Sequence, residues 1–266
     1  MRLSRFVSAA AALVTGAVLT ATGANPAGAA GANYVALGDS YSAGVGAGSY
    51  TGESGDCLRS TKAYPQLWAN SHGPSSFAFT ACSGARTSDV LNNQLGPLNS
   101  ATTLVSVSIG GNDAGFTDVM TTCVISSEST CLSRINEARN FVNTQLPAKL
   151  DQTYAAIRSK APSARVVVLG YPRLYKLNGS CIVGLSETKR TAINNAADLL
   201  DSVVSQRASA AGFSFGDVRG TFTGHEICSN SEWLHSVEWF NITESYHPMA
   251  SGQSGGYLPV FSAAAG

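Results

Sequence analysis

Charge is what this sequence has least of. Lys, Arg, Asp and Glu make up 13% of its 266 residues, about half the usual share of a soluble domain. Lys+Arg and Asp+Glu number 17 each, so there is no basic excess to neutralise a phosphate backbone. That excludes a nucleic-acid binder. No C-x-x-C pair and no Cys/His cluster at zinc spacing occurs, so no metal is expected. The glycine-rich stretch GVGAG (44–48) lacks the spacing and helix context of a dinucleotide fingerprint, so no cofactor is expected either. There is no internal repeat, no low-complexity linker and no composition shift marking a second domain. Beyond the first thirty residues no apolar run is long enough to span a bilayer, which leaves no stable membrane anchor.

The N-terminus carries what the rest lacks. Arg2 and Arg5 precede the apolar stretch VSAAAALVTGAVLTATGA, and small residues close it, with A-x-A at Ala27-Gly28-Ala29. This is the three-part pattern of a secretory signal peptide. Residues 1–29 are therefore expected to be removed on export, leaving residues 30–266 as a single domain. Without Arg2 and Arg5 the mature chain holds 15 basic and 17 acidic residues, a slightly acidic balance.

All six cysteines lie after the signal. An even count in an exported chain reads as three disulfides. Six cysteines allow fifteen pairings, and spacing does not choose among them. Pairing neighbours in sequence is the most economical expectation: Cys57–Cys82, Cys123–Cys131 and Cys181–Cys228. Cys123 and Cys131 are expected to close a short loop after the GGND stretch, and Cys181 and Cys228 follow the fourth and fifth strand segments, so each bridge is expected to pin loops on one rim of the sheet.

Apolar runs at 34–38, 76–81, 104–110, 165–170 and 213–218 read as strands. Several are continuous rather than alternating, as in strands buried on both faces. Between them, 62–71, 134–160 and 186–212 show helical spacing. Pro147 predicts a kink in the second, Ser186 a cap and Gly212 an end for the third. The tail 247–265 predicts a last, glycine-interrupted helix. Strands alternating with helices imply a five-stranded parallel sheet covered on both faces, a three-layer α/β/α sandwich of flavodoxin-like type.

Ligands of such sheets bind outside the carboxyl ends of the strands. Ser40 follows the first strand, the ACSGART stretch (81–87) the second, and SIGGNDAGF (108–116) the third. A fourth segment, ESYHP (244–248), opens the tail. Together they hold the parts of a hydrolase. A serine hydroxyl needs a base to become a nucleophile, and His247 is available. The oxyanion formed on attack needs preorganised donors. The N–H groups of Ser40 and Gly84 and the amide of Asn112 are candidates. Asp39 and Asp113 read as turn anchors. His72, His225 and His235 have no motif context.

The order Gly38-Asp39-Ser40, Ser83-Gly84-Ala85, Gly110-Gly111-Asn112-Asp113 and His247-Pro248 resembles the SGNH (GDSL-type) hydrolase superfamily. Within it, the stretches YVALGDSYSAGVGAG, CSGART and GGNDAGF are similar to those of secreted actinobacterial lipases, esterases and phospholipases. The resemblance covers nearly the whole mature chain. It implies Ser40 as nucleophile, His247 as base, and Ser40, Gly84 and Asn112 as the oxyanion hole. One departure concerns the group that orients His247. Many members of the superfamily carry Asp three residues before the histidine, where this chain has Glu244. Glu is one methylene longer, and a main-chain carbonyl can also fix the imidazole tautomer. The carbonyl of Ser245 is the favoured partner, with the Glu244 carboxylate as the alternative.

The expected protein is a secreted, monomeric serine ester hydrolase acting on acyl esters of lipid, with phospholipase A activity within its range and a lipid–water interface as its setting. A carbohydrate acetyl esterase on the same fold is the alternative. A non-catalytic secreted binding protein is a further one, which intact Ser40, Asn112 and His247 argue against.

Overall fold

The apolar runs do become strands. The computed structural model describes Met1, residues 31–181 and residues 184–266. The expected signal segment with its Ala27-Gly28-Ala29 site lies, Met1 apart, outside the described residues. Strands β1 (Asn33–Gly38), β2 (Ser76–Phe79), β3 (Leu104–Ser108), β4 (Arg165–Leu169) and β5 (Ser214–Gly216) form one sheet in the order β2-β1-β3-β4-β5, every pair parallel. All five residues of β3 and four of the five in β4 are buried, which is why both read as unbroken apolar runs.

Among the described residues eight α-helices connect and cover the strands: α1 (Ser40–Ala43), α2 (Tyr64–His72), α3 (Thr87–Asp89), α4 (Phe116–Ile125), α5 (Glu128–Thr144), α6 (Leu146–Lys160), α7 (Glu187–Ala210) and α8 (Leu258–Ala265). Helices α2 and α8 carry an aromatic layer on one face of the sheet. There Tyr34 of β1 stacks on Phe261 and meets Trp68 edge to face. Helices α5, α6 and α7 pack side by side in the other layer. Residues 31–266 make one compact unit.

Local chemistry sets the helix ends. The hydroxyls of Ser127 and Ser186 accept from the N–H groups of Thr130 and Lys189 and cap α5 and α7. Two expectations need correction. Residues 134–160 do not form one kinked helix. Helix α5 begins six residues earlier, the chain breaks at Gln145, and Pro147 sits in the first turn of α6, where its missing N–H costs nothing. The stretch between the third strand's loop and Cys131 is not a short loop but contains α4. Its apolar positions Phe116, Val119, Met120 and Cys123 do have helical spacing. The glycines before it masked that signal.

The structure pairs Cys57 with Cys82, Cys123 with Cys131 and Cys181 with Cys228, and no described cysteine is free. The first bridge adjoins the loop after β2, the second ties α4 to α5, and the third joins the segments following β4 and β5.

The order of strands places a topological switch at β1. The chain leaves β1 toward β2 on one side and later pairs β3 on the other. The crevice between the carboxyl ends of β1 and β3 is therefore open to ligand. Gly38 closes the strands there. Its φ is +126°, and a Cβ would lie 2.5 Å from the Ser108 carbonyl oxygen and 2.8 Å from Ser42 Oγ. Gly38→Ala is thus both conformationally strained and overpacked against backbone. It should lower stability in urea by at least about 1–3 kcal/mol. An unchanged urea midpoint would mean that β1 and β3 can part freely at this point.

Candidate active site

The turn after β1 is organised by Asp39. Its carboxylate caps α1 by accepting from the Tyr41 N–H at 3.0 Å. The same oxygen accepts from Ser108 Oγ at 2.8 Å, and the other oxygen accepts from Tyr171 OH at 2.5 Å. Ser40 is the first residue of the helix so formed. Its N–H lies in the first turn, where an α-helix offers no internal acceptor. Below it, Gln94 brackets Gly38, accepting from its N–H at 2.7 Å and donating to its carbonyl at 2.8 Å.

His247 arrives from the far end of the chain. Its Nε2 stands 2.7 Å from Ser40 Oγ, and its Nδ1 stands 3.0 Å from the Ser245 carbonyl oxygen. A carbonyl only accepts, so Nδ1 carries the proton and Nε2 presents its lone pair to the serine hydroxyl. Burial pushes the imidazole down from its usual value to about 4, and the nearby His235 adds to the shift. The ring is therefore neutral at neutral pH.

The Glu244 carboxylate is engaged elsewhere. It accepts from Tyr50 OH at 2.6 Å, and that hydroxyl accepts from the Gly46 N–H at 2.9 Å. Among the described contacts, the group facing His247 Nδ1 is the Ser245 carbonyl. A strap holds it there. The His235 N–H donates to the His247 carbonyl, the Tyr246 N–H donates to the His235 carbonyl, and His235 Nε2 lies 2.8 Å from the Gly46 carbonyl oxygen. Tyr246 itself has φ +65°, a rare conformation for a bulky residue. That twist turns the Ser245 carbonyl back toward the ring two residues on.

The remaining candidates come from the loops after β2 and β3. Gly84 has φ +74° with open space where a Cβ would be, and it lines the same cleft as Ser40 and His247. Asn112 Nδ2 donates to the Ala85 carbonyl at 3.0 Å. That fixes the amide and leaves its second N–H for the cleft. Asp113 anchors the neighbouring loop, accepting from Thr87 N and Oγ1 at 2.9 and 2.6 Å. Tyr171, after β4, ties the blocks together, since its hydroxyl also accepts from the Gly111 N–H at 3.3 Å. Ser40, Gly84, Asn112, Ser245 and His247 thus meet at one cleft.

Sequence reading missed Tyr171, Gln94, Ser108 and the strap residue His235. Each makes a contact across 56 or more positions of chain, and no local pattern marks such partners. Among the described residues no group of His, Cys, Asp or Glu could hold a metal ion.

Two recesses flank Ser40. One runs inward and is mainly apolar, walled by Val119 and Met120 of α4, Ile135 and Val142 of α5, and Leu174 and Ile193. The other is an open cleft over the Ser40–His247 pair, floored by Gly84 and Asn112. A serine hydroxyl beside a neutral imidazole, candidate donors lining the same cleft and an apolar recess alongside make an arrangement suited to acyl transfer from an ester.

Residues 36–254 match the GDSL-like Lipase/Acylhydrolase family model. Lipase 1 of Streptomyces coelicolor is 68% identical over 263 residues, spanning 99% of this chain and 97% of that protein. The crystal structure of phospholipase A1 from Streptomyces albidoflavus NA297 superposes with a TM-score of 0.86 at 65% identity, covering 88% of this chain and 99% of that one. The extracellular lipase of Streptomyces rimosus gives 0.86 at 63% identity, with the same coverage.

The geometry yields two expected outcomes. Glu244→Gln keeps an acceptor for Tyr50 and should lower kcat/KM by less than about fivefold, the worth of one ordinary hydrogen bond. A loss approaching that of His247→Ala, on the order of a million-fold, would place the carboxylate in the relay. The second outcome concerns pH. His247 cannot take a proton once it is charged, so kcat/KM should hold through mild acid and fall only toward pH 4, the value to which burial pushes the ring. Asp39, raised to about 6 by burial, does not add an earlier limb. A proton on its Tyr171-facing oxygen reverses one hydrogen bond and leaves the two bonds at the other oxygen intact. An acid limb centred at the ordinary histidine value of about 6.5 would overturn this assignment.

Proposed function

The chain belongs to the GDSL-like Lipase/Acylhydrolase family, and from that premise we propose a secreted lipase that works through a Ser40–His247 dyad. It is an ester hydrolase; the residue roles, the export and the choice of lipid are our reading. The observation that carries it is the line from Ser245 carbonyl to His247 Nδ1, and from Nε2 to Ser40 Oγ, at 3.0 and 2.7 Å.

His247 Nε2 takes the hydroxyl proton as Ser40 Oγ attacks the ester carbonyl carbon. The C=O π pair moves onto oxygen, and the N–H groups of Ser40 and Gly84 and the Asn112 amide receive that charge. The tetrahedral adduct collapses, the alkoxide leaves with the proton from Nε2, and the acyl group remains on Ser40. Water, deprotonated by His247, then releases the carboxylic acid and restores the serine. The inner apolar recess takes the acyl chain, and the open cleft takes the alcohol portion. Among the described residues no charged side chain lines the cleft, which suits neutral and zwitterionic esters.

Export is supported by the N-terminal pattern, three disulfides and the description of the Streptomyces rimosus protein as extracellular. Among the described residues no helix is long and apolar enough to cross a membrane. Phospholipid belongs to the proposed range because the similar Streptomyces albidoflavus protein is a phospholipase A1. The acetyl-esterase alternative is less well supported, because an acetyl group would leave the inner recess unfilled.

The test is Ser40→Ala against a graded series of chromogenic acyl esters and phosphatidylcholine. The wild type should prefer medium or long chains. The variant should lose turnover by about a million-fold and should no longer bind an organophosphonate covalently, while keeping its circular dichroism. Near-normal turnover by the variant would remove Ser40 from the mechanism, and a sharp preference for acetyl would favour the carbohydrate esterase.

A further inference from the structure

The outer cleft has an apolar rim that catalysis does not require. Ile125, Trp239 and Ile242 line it with side chains 74%, 73% and 64% exposed, and Phe240 beside them is fully exposed. Among the described residues from 31 onward, the other large exposed apolar side chain is Leu177, which lies outside this cleft.

The placement of the aromatic pair is unusual. The Asn241 N–H donates to the Glu238 carbonyl at 3.1 Å, so Trp239 and Phe240 are the two corner residues of a β-turn. Turn corners favour Gly, Pro, Asn, Asp and Ser; two bare aromatics there gain nothing from the turn and expose their rings to water. The turn is also firmly based. The Glu238 N–H donates to Ser245 Oγ at 2.9 Å, and the preceding residues belong to the strap that fixes His247. Ile125 stands opposite, at the end of α4.

We propose that Ile125, Trp239, Phe240 and Ile242 form the surface by which the enzyme settles on a neutral or zwitterionic lipid surface, with the Ser40 cleft facing it. Lipid is favoured as occupant because the rim is continuous with the cleft its ester must enter. Charge supports the same choice. Residues 117–133 and 232–247, which build the rim, contain Asp118, Glu128, Glu232, Glu238 and Glu244 but no Lys or Arg. These two segments offer anionic headgroups no cation, and Arg134 next to them is paired with Asp118, whereas apolar and aromatic side chains bury readily at the headgroup boundary. The inference rests on the lipase reading above.

Phe240 is the position to change, since it stands outside the cleft lining. In the Ser40→Ala background, which binds without turnover, flotation with phosphatidylcholine vesicles should show partitioning that falls about tenfold in Phe240→Ser, the worth of burying much of one ring. Adding phosphatidylglycerol or raising salt should not strengthen or weaken binding appreciably. With Ser40 intact, Phe240→Ser should keep kcat/KM on a monomeric short-chain ester and lose rate on emulsified ester. Unchanged partitioning, an equal loss on monomeric ester, or binding that requires anionic lipid would overturn the proposal. So would a lipid-free dimer abolished by Phe240→Ser, which would make a second copy the occupant. Failure to float leaves the Ser40 chemistry untouched; esterase activity surviving in Ser40→Ala would sink that chemistry and not the docking surface.

Discussion

The site depends on a buried carboxylate that, among the described residues, no cation pairs. Asp39 is almost fully shielded from solvent, and burial raises its affinity for a proton. What keeps it in place is a set of donors from three separate parts of the chain: the α1 backbone, Ser108 on β3 and Tyr171 after β4. Leaving any of these donors or acceptors unpaired would cost about 1–3 kcal/mol. The three segments are thereby locked in one register. Because Tyr171 also receives the Gly111 N–H, the lock extends to the loop that carries Asn112. Asp39 thus acts on geometry, and Ser40 is held where the ends of β1 and β3 converge.

The second constraint is the use of a carbonyl where a carboxylate could stand. A carboxylate beside His247 would stabilise the imidazolium that the proposed mechanism forms, but it would also raise the resting proton affinity of the ring. A carbonyl orients the ring through the same N–H and brings only a dipole. Burial then dominates, and the base stays neutral well into acid. The cost appears in the backbone. Tyr246 adopts φ +65°, a strain of order 1–3 kcal/mol that persists only when surroundings enforce it. Here they do: the Tyr246 N–H donates to the His235 carbonyl, and its own carbonyl accepts from Tyr41 OH at 2.7 Å. Glu244, freed from the histidine, braces the Gly46 turn through Tyr50 instead.

What could be read in the sequence was whatever chemistry or burial forces into a short window. Strands β3 and β4 are buried throughout or nearly so, and such strands must be written as continuous apolar runs. The Ser186 cap and the four motif blocks are legible for a related reason, since each function needs its residue type at a strand or helix end. Helix α4 was hidden because Gly110, Gly111 and Gly115 stand immediately before it, and glycine next to a short apolar stretch reads as loop. Pro147 was seen, but a break and a kink look the same when only the proline is visible. The braces were beyond reach. Tyr171 lies 132 residues from Asp39, and Gln253 lies 189 from Tyr64, whose N–H it receives. Nothing local distinguishes such a tyrosine or glutamine until the topology brings them together.

The two recesses beside Ser40 give the enzyme a direction. In the proposed reading, an acyl chain entering from a lipid surface crosses the exposed rim and passes the Ser40–His247 pair to reach the apolar space between α4, α5 and the start of α7. The alcohol portion then remains in the open cleft, on the side it came from. Helix α4 serves both ends of that path, since Val119 and Met120 wall the inner recess and Ile125 stands on the rim. The Cys123–Cys131 bridge ties this helix to α5 between those two regions. Helix α4 begins after Gly115 in the left-handed conformation and is followed almost at once by α5, so few long-range strand contacts hold it. A bridge at that position fixes the helix to α5 by a covalent bond. Helix α4 thus contributes to the walls of both recesses, while Ser40 and His247 are anchored independently of it by Asp39 and the strap.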